Sequence, residues 1–193
     1  MEKSSRKFDP TKSDFLDSKE RKSILNINTI LEHCEIKKGW VIADIGCGSG
    51  FFSFPLAKIV GETGHVYGID MEPIMIKKLE DRIAENGVKN ISPILSFEGE
   101  IPLPNGIADL TLMSLVLHEL EGMETLYEIK RIMKSTGLFC IIDWKKIDEP
   151  IGPPMDHRLN EKEAMVLLKK VGIHPERPII VGPSHYLIRA RRR

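Results

Sequence analysis

The chain has 193 residues, with 28 Lys plus Arg against 28 Asp plus Glu, so no net field draws it to nucleic acid or to an anionic membrane. One domain is the default at this length, no apolar run approaches the ~18 residues that cross a bilayer, and the charged start Met1 to Lys7 lacks the apolar stretch of a signal peptide. Cys34, Cys47 and Cys140 are an odd number without C-x-x-C spacing, which argues against a disulfide framework and a zinc site and leaves a soluble, cytoplasmic protein as the expectation.

Residues 1 to 16 are polar and read as a loose arm, with Phe8, Phe15 and Leu16 as its docking groups. A helix is expected from Ser18, with Ile24, Ile27, Leu31 and Cys34 at helical spacing and Cys34 as a small core residue. Val41 to Ile45 is an apolar run that ends in Gly46-Cys47-Gly48-Ser49-Gly50 and passes into Phe51 to Ala57, which predicts a strand, a tight turn and the start of a helix. His65 to Asp70 is a second strand ending in an acid. Pro73 opens a helix with Ile76, Leu79 and Ile83 inward, stopped by Asn86-Gly87.

Ile91 to Leu95 is the third strand, and residues 96 to 106 are too rich in Pro and Gly for a long helix. Ala108 to Leu117 is nearly continuous apolar sequence, as a parallel strand covered on both faces requires, and it runs into His118-Glu119. Met123, Leu126, Ile129, Ile132 and Met133 mark a helix ended near Thr136-Gly137, and Leu138 to Asp143 is the fifth strand. Residues 144 to 159 form a Pro-rich loop of a length that is either functional or disordered. Asn160 with Glu163 reads as a capping box opening a helix, and Ile179 to Val181 and Tyr186 to Ala190 read as two strands around Gly182-Pro183-Ser184. The fold class that follows is α/β, a Rossmann-like, mostly parallel sheet with helices on both faces.

The chemistry concentrates at two spacings. Gly46, Gly48 and Gly50 form a G-x-G-x-G turn after a strand, and Asp70 lies where a nucleoside-binding βαβ unit places the carboxylate that accepts from ribose hydroxyls. Dinucleotide folds use G-x-G-x-x-G and seat a pyrophosphate; here Asp44 leads the glycines and no Lys or Arg stands in the turn, which suits a cationic ligand end. Asp44-x-Gly46-x-Gly48-x-Gly50 with Asp70, continued through Asp109 to Leu112 and Ile141 to Asp143, resembles the class I S-adenosylmethionine (SAM) methyltransferases. Within them it is most similar to the small enzymes related to quinone-biosynthesis C-methyltransferases.

The resemblance covers residues 36 to 190 of a single domain and implies a seven-stranded sheet closed by an antiparallel C-terminal hairpin. It also implies SAM as methyl donor and S-adenosylhomocysteine as product. The cofactor contacts implied are Asp44, Gly46, Cys47, Gly48, Gly50, Asp70, Met71 and Leu115, with the adenine contact on Phe97 or Glu98, of which Glu98 is carried as the candidate. His118, delivered to the end of the fourth strand, is the candidate general base, with a hydrogen-bonded residue of the pocket wall as the alternative. Asp143, Trp144 and Lys145 stand open between orienting a substrate and merely ending a strand.

The expected activity is methyl transfer to a small-molecule acceptor, with no metal and no membrane span. Nucleic acid is not the expected partner, and the oligomeric state is not legible. The alternatives are a protein or RNA methyltransferase docking through Arg189, Arg191, Arg192 and Arg193, and a non-catalytic SAM- or nucleotide-binding module. An NAD-dependent enzyme is disfavoured by the glycine spacing.

Overall fold

The structure is a computed structural model, and it describes residues 25–192. The arm at 1 to 16 and the helix start at Ser18 lie outside the described residues. Within them α1 spans Ile27–His33, with Asn26 as its N-cap accepting from the Thr29 amide.

The elements that follow are β1 (Val41–Ile45), α2 (Ser53–Val60), β2 (His65–Asp70), α3 (Pro73–Asn86), β3 (Ile91–Leu95), β4 (Ala108–Ser114), α4 (Glu124–Ile132), β5 (Met133–Trp144), α5 (Glu161–Lys170), β6 (Ile173–Pro175), β7 (Ile179–Ile180) and β8 (His185–Arg192). Strand order is β3-β2-β1-β4-β5-β8-β6, with β7 also paired to β8. The first five strands run parallel, and β8 runs antiparallel to β5, β6 and β7. The sheet therefore has eight strands rather than seven. The extra pieces are short: β6 has three residues and β7 two, too few for a period to register in the sequence.

Alternation along the strands divides the core in two. Ile42, Leu110, Leu112, Cys140 and Ile142 face α1, α2 and α3; Ala43, Met113, Phe139, Ile141 and Ile188 face α4 and α5. Pro73 occupies the first turn of α3, where its missing N–H costs nothing, and Gly87 ends that helix in the left-handed region.

Two boundaries differ from the sequence reading. Met133 begins β5 rather than ending α4, and Thr136-Gly137 lies inside that strand. Ala108 pairs with Met133 but Leu110 pairs with Leu138, so the intervening residues form a bulge. A Cβ on Gly137 would sit 2.9 Å from the Lys134 carbonyl and 3.1 Å from that of Ala108, so the turn-like Gly marks a close backbone approach. The other boundary is the end of β4, which stops at Ser114; Leu115 turns the chain into a single 3₁₀ turn, Leu117–Glu119.

Candidate active site

Chain order reverses beside β1, which pairs with β2 on one side and β4 on the other. A crevice beyond the carboxyl ends of these strands is where such sheets bind ligands. Five segments gather there: the glycine turn after β1, Asp70 and Met71 after β2, residues 96 to 98 after β3, Leu115 to Glu119 after β4, and the end of β5.

The glycine turn is held from below, with the amides of Gly46 and Cys47 both donating to the Ile69 carbonyl, at 2.8 and 3.0 Å. Its glycines serve different ends. A Cβ on Gly46 would collide with the Val116 side chain, and one on Gly50 would lie 2.6 Å from Leu79, so these two permit internal packing at positive φ. Gly48, at φ 54°, instead donates its amide to Asp70 Oδ2 at 2.8 Å. The two sequence motifs are thus one hydrogen-bonded unit.

Asp70 Oδ1 accepts from the Glu72 amide at 3.0 Å. Burial still raises the Asp70 pKa above the usual carboxylate value, against the opposing pull of these backbone bonds. The Met71 amide adds a third backbone bond, which still leaves the carboxylate room for a further donor.

Asp44 and Cys47 turn inward. Asp44 is 2 % exposed and accepts from Ser53 Oγ at 2.6 Å, bracing the start of α2. Burial pushes the Cys47 thiol well above its ordinary range, so it is no nucleophile. Met71, Leu95 and Phe97 are exposed apolar groups at the ends of β2 and β3, Phe97 the most so at 70 %. Glu98 Oε1 accepts from the Glu121 amide, tying the segment after β3 to the approach of α4.

Across the crevice, Leu115 adopts φ 60°, a conformation rare for a branched side chain, and its amide donates to the Ile142 carbonyl. That turn drops His118 onto the end of β5. His118 Nδ1 donates to Asp143 Oδ1 at 2.7 Å, its own amide donates to Oδ2 at 3.0 Å, and Nε2 lies 3.8 Å from Glu119 Oε1. Burial, the largest single influence, pushes the His118 pKa down; the charge and hydrogen bond of Asp143, with Glu119, outweigh it and leave the value above 6.5. Asp143 is fully buried and spends both oxygens on His118 and on the Trp144 amide, so it orients the imidazole rather than a substrate. Lys145 is also accounted for, its ammonium donating to the Gly182 and Pro183 carbonyls. Ser114 Oγ, buried at the mouth of β4, has no hydrogen-bond partner among the described residues.

A family model for a methyltransferase domain matches residues 36–172. The chain belongs to the methyltransferase family. A SAM-dependent methyltransferase from Aquifex aeolicus is similar over nearly the whole length of both proteins, with 34 % identity, a TM-score of 0.92, and coverage of 95 % of this chain and 98 % of that one. The ubiquinone/menaquinone biosynthesis C-methyltransferase UbiE of Paraburkholderia phymatum is 28 % identical over 128 residues, 65 % of this chain and 52 % of that protein. A demethylmenaquinone methyltransferase of Listeria monocytogenes is 28 % identical over 116 residues, 60 % and 49 %. The chain spans about half the length of these two quinone-pathway relatives.

The methyl donor of this methyltransferase is SAM, and the residues present fit it. Asp70 is a half-buried carboxylate held by backbone amides, at the position where a ribose diol would supply further donors. The exposed Met71, Leu95 and Phe97 offer apolar surface beside it, and Ser114 holds an unused hydroxyl at the strand mouth. Among the described residues no group of His, Cys, Asp or Glu is arranged to hold a metal ion, and no helix is long and apolar enough to cross a membrane.

Several contacts in this methyltransferase escaped the sequence. Arg82 of α3 donates to the Ser49 carbonyl at 2.7 Å and lies over the Phe54 ring, so a cation does flank the glycine turn, from outside it. Arg158 is buried beneath the loop after β5. Nothing in the local pattern of either arginine distinguishes it from a solvated one. Asp143 and His118 were each visible as strand-end groups; the bond between them was not, because the two residues meet only through the turn at Leu115.

Proposed function

We infer that residues 36 to 190 act as one catalytic unit that transfers the methyl group of SAM to a small organic acceptor, with His118 taking the proton the acceptor gives up. The observation that carries this reading is the buried His118–Asp143 pair just past the end of β4. A carboxylate on Nδ1 fixes the tautomer in which neutral Nε2 presents a lone pair, and the imidazolium formed on proton uptake is then stabilised by Asp143 and Glu119. SAM supplies the electrophile, a methyl on a positively charged sulfur. The protein has to bind it, align the acceptor and exclude water. Asp70 would accept from the ribose hydroxyls, the Gly48 amide would keep that carboxylate in place, and Met71 and Phe97 would cover the adenine.

A small acceptor is favoured over RNA or protein by the fate of the C-terminal arginines. Arg189 pairs with Glu35 and Glu176, Arg191 with Glu176, and Arg192 donates to the Lys130 and Met133 carbonyls; Arg193 lies outside the described residues. Charges engaged this way make a poor docking surface. Similarity to the quinone-pathway enzymes supports the same choice.

The test is calorimetric titration with S-adenosylhomocysteine and, separately, NAD. Binding of the first and not the second is expected, and Asp70→Ala should weaken it by ~1.5–3 kcal/mol, the loss of charge-assisted hydrogen bonds. Tighter binding of NAD, or an Asp70→Ala affinity equal to wild type, would overturn the assignment.

A further inference from the structure

The loop between β5 and α5 folds around one side chain. Arg158 is 2 % exposed, and its guanidinium donates almost entirely to backbone of the loop that precedes it. Nε donates to the Pro153 carbonyl at 2.8 Å, Nη1 to those of Lys145 at 3.2 Å and Ile147 at 3.3 Å, and Nη2 to that of Ile151. Its carboxylate partner is Glu149, whose other oxygen accepts from Ser184 Oγ at 2.6 Å in the turn between β7 and β8. The Trp144 ring lies beneath the guanidinium at 5.0 Å. Gly152 closes over the top at φ +83°, where a Cβ would meet both Nη2 and the indole at 3.0 Å. With the carbonyls drawn inward, Ile147 and Ile151 are left exposed at 42 % and 36 %.

We propose that Arg158 is a positioning residue: its guanidinium is the template on which the loop after β5 is preassembled as the acceptor-side wall, and it sets where that wall stands relative to the His118–Asp143 pair. A planar five-donor fork can hold several carbonyls in fixed directions at once, which an ammonium cannot do. The link to the pair is one of place. Trp144 follows Asp143 in β5, and the charged groups that act on His118 are Asp143 on β5, Glu119 on its own turn and Arg158 at the end of the loop, the last opposing the imidazolium. The catalytic meaning rests on His118 being the base; the dependence of the loop on Arg158 does not.

The experiment compares wild type with Arg158→Met, using thermolysin cleavage ahead of Ile147 and Ile151 and NMR titration of the His118 imidazole. In Arg158→Met, loop cleavage at least about tenfold faster is expected, because cleavage follows the population of the opened loop, together with an upward move of the His118 midpoint. Wild-type behaviour in both readouts overturns the proposal. Faster cleavage with an unmoved His118 also overturns it, since Arg158 would then be only a staple. If Arg158→Met fails to fold, Gly152→Ala decides: it displaces the loop while keeping the charge, so faster cleavage with a His118 midpoint near wild type is expected, and wild-type cleavage refutes the template. Neither readout uses a methyl acceptor, so failure here and failure of the methyl-transfer reading are told apart.

Discussion

Protonating His118 strengthens its bond to Asp143, because a carboxylate accepts more strongly from imidazolium than from neutral imidazole. The folded pKa is therefore raised above the unfolded value near 6.5. The sign follows: the pair contributes its full stability below that unfolded value and loses it as pH rises through the folded one. The base form appears over the same interval, so the methyl-transfer rate should climb with pH through an ionisation above 6.5, where the residue type alone would place it at the ordinary histidine value. Asp143→Asn should move that limb to lower pH and reduce turnover. His118→Ala should remove the limb and cost ~10²–10⁴ in rate with cofactor affinity unchanged. The checks are pH–rate profiles on the acceptor found by label transfer; a His118→Ala profile matching wild type would reduce the residue to pocket wall. At this scale identities were legible in the sequence and partners were not. His118 and Asp143 were both visible as strand-end groups, whereas the bond between them depends on the left-handed turn at Leu115, a conformation no leucine advertises.

Among the elements, α5 connects the loop to the sheet and is fixed at its start by a reciprocal cap. Asn160 Oδ1 accepts from the Glu163 amide at 3.0 Å, and Glu163 Oε2 accepts from the Asn160 amide at 2.8 Å. Asn160→Ala should cost ~1 kcal/mol, within the usual ~0.5–2 for a lost cap, read as a lower urea midpoint with an unchanged slope. This cap was legible because its chemistry lies within four consecutive residues. So were β1, β2 and α3, whose periodicities and stop signals are local. The elements that misled have distant causes. Thr136-Gly137 looks like a helix end until Ala108 is placed opposite it, and β6 is a strand only because β8 lies alongside.

For the molecule as a whole, the position of β8 matters most. It is the last described strand, yet it lies between β5 and the short strands β6 and β7 rather than at a border. Ile188 is fully buried there, while Ile180 on β7 is 57 % exposed. Ile188→Ala should cost ~2–5 kcal/mol and Ile180→Ala within about 0.5 kcal/mol, measured by chemical denaturation; equal costs would mean that β8 is peripheral to the core after all.

The same arrangement has a consequence for biosynthesis. The edge of β5 that β8 will cover is complete at Trp144, but the covering strand begins only at His185. At a translation speed of ~5–20 residues per second, the apolar run Leu138 to Ile142 leaves a ribosome seconds before its partner exists. An uncovered strand edge of that composition is a template for pairing with other chains. The hazardous interval for this protein therefore falls while it is being made, and slower elongation near the C-terminal coding region would lengthen it.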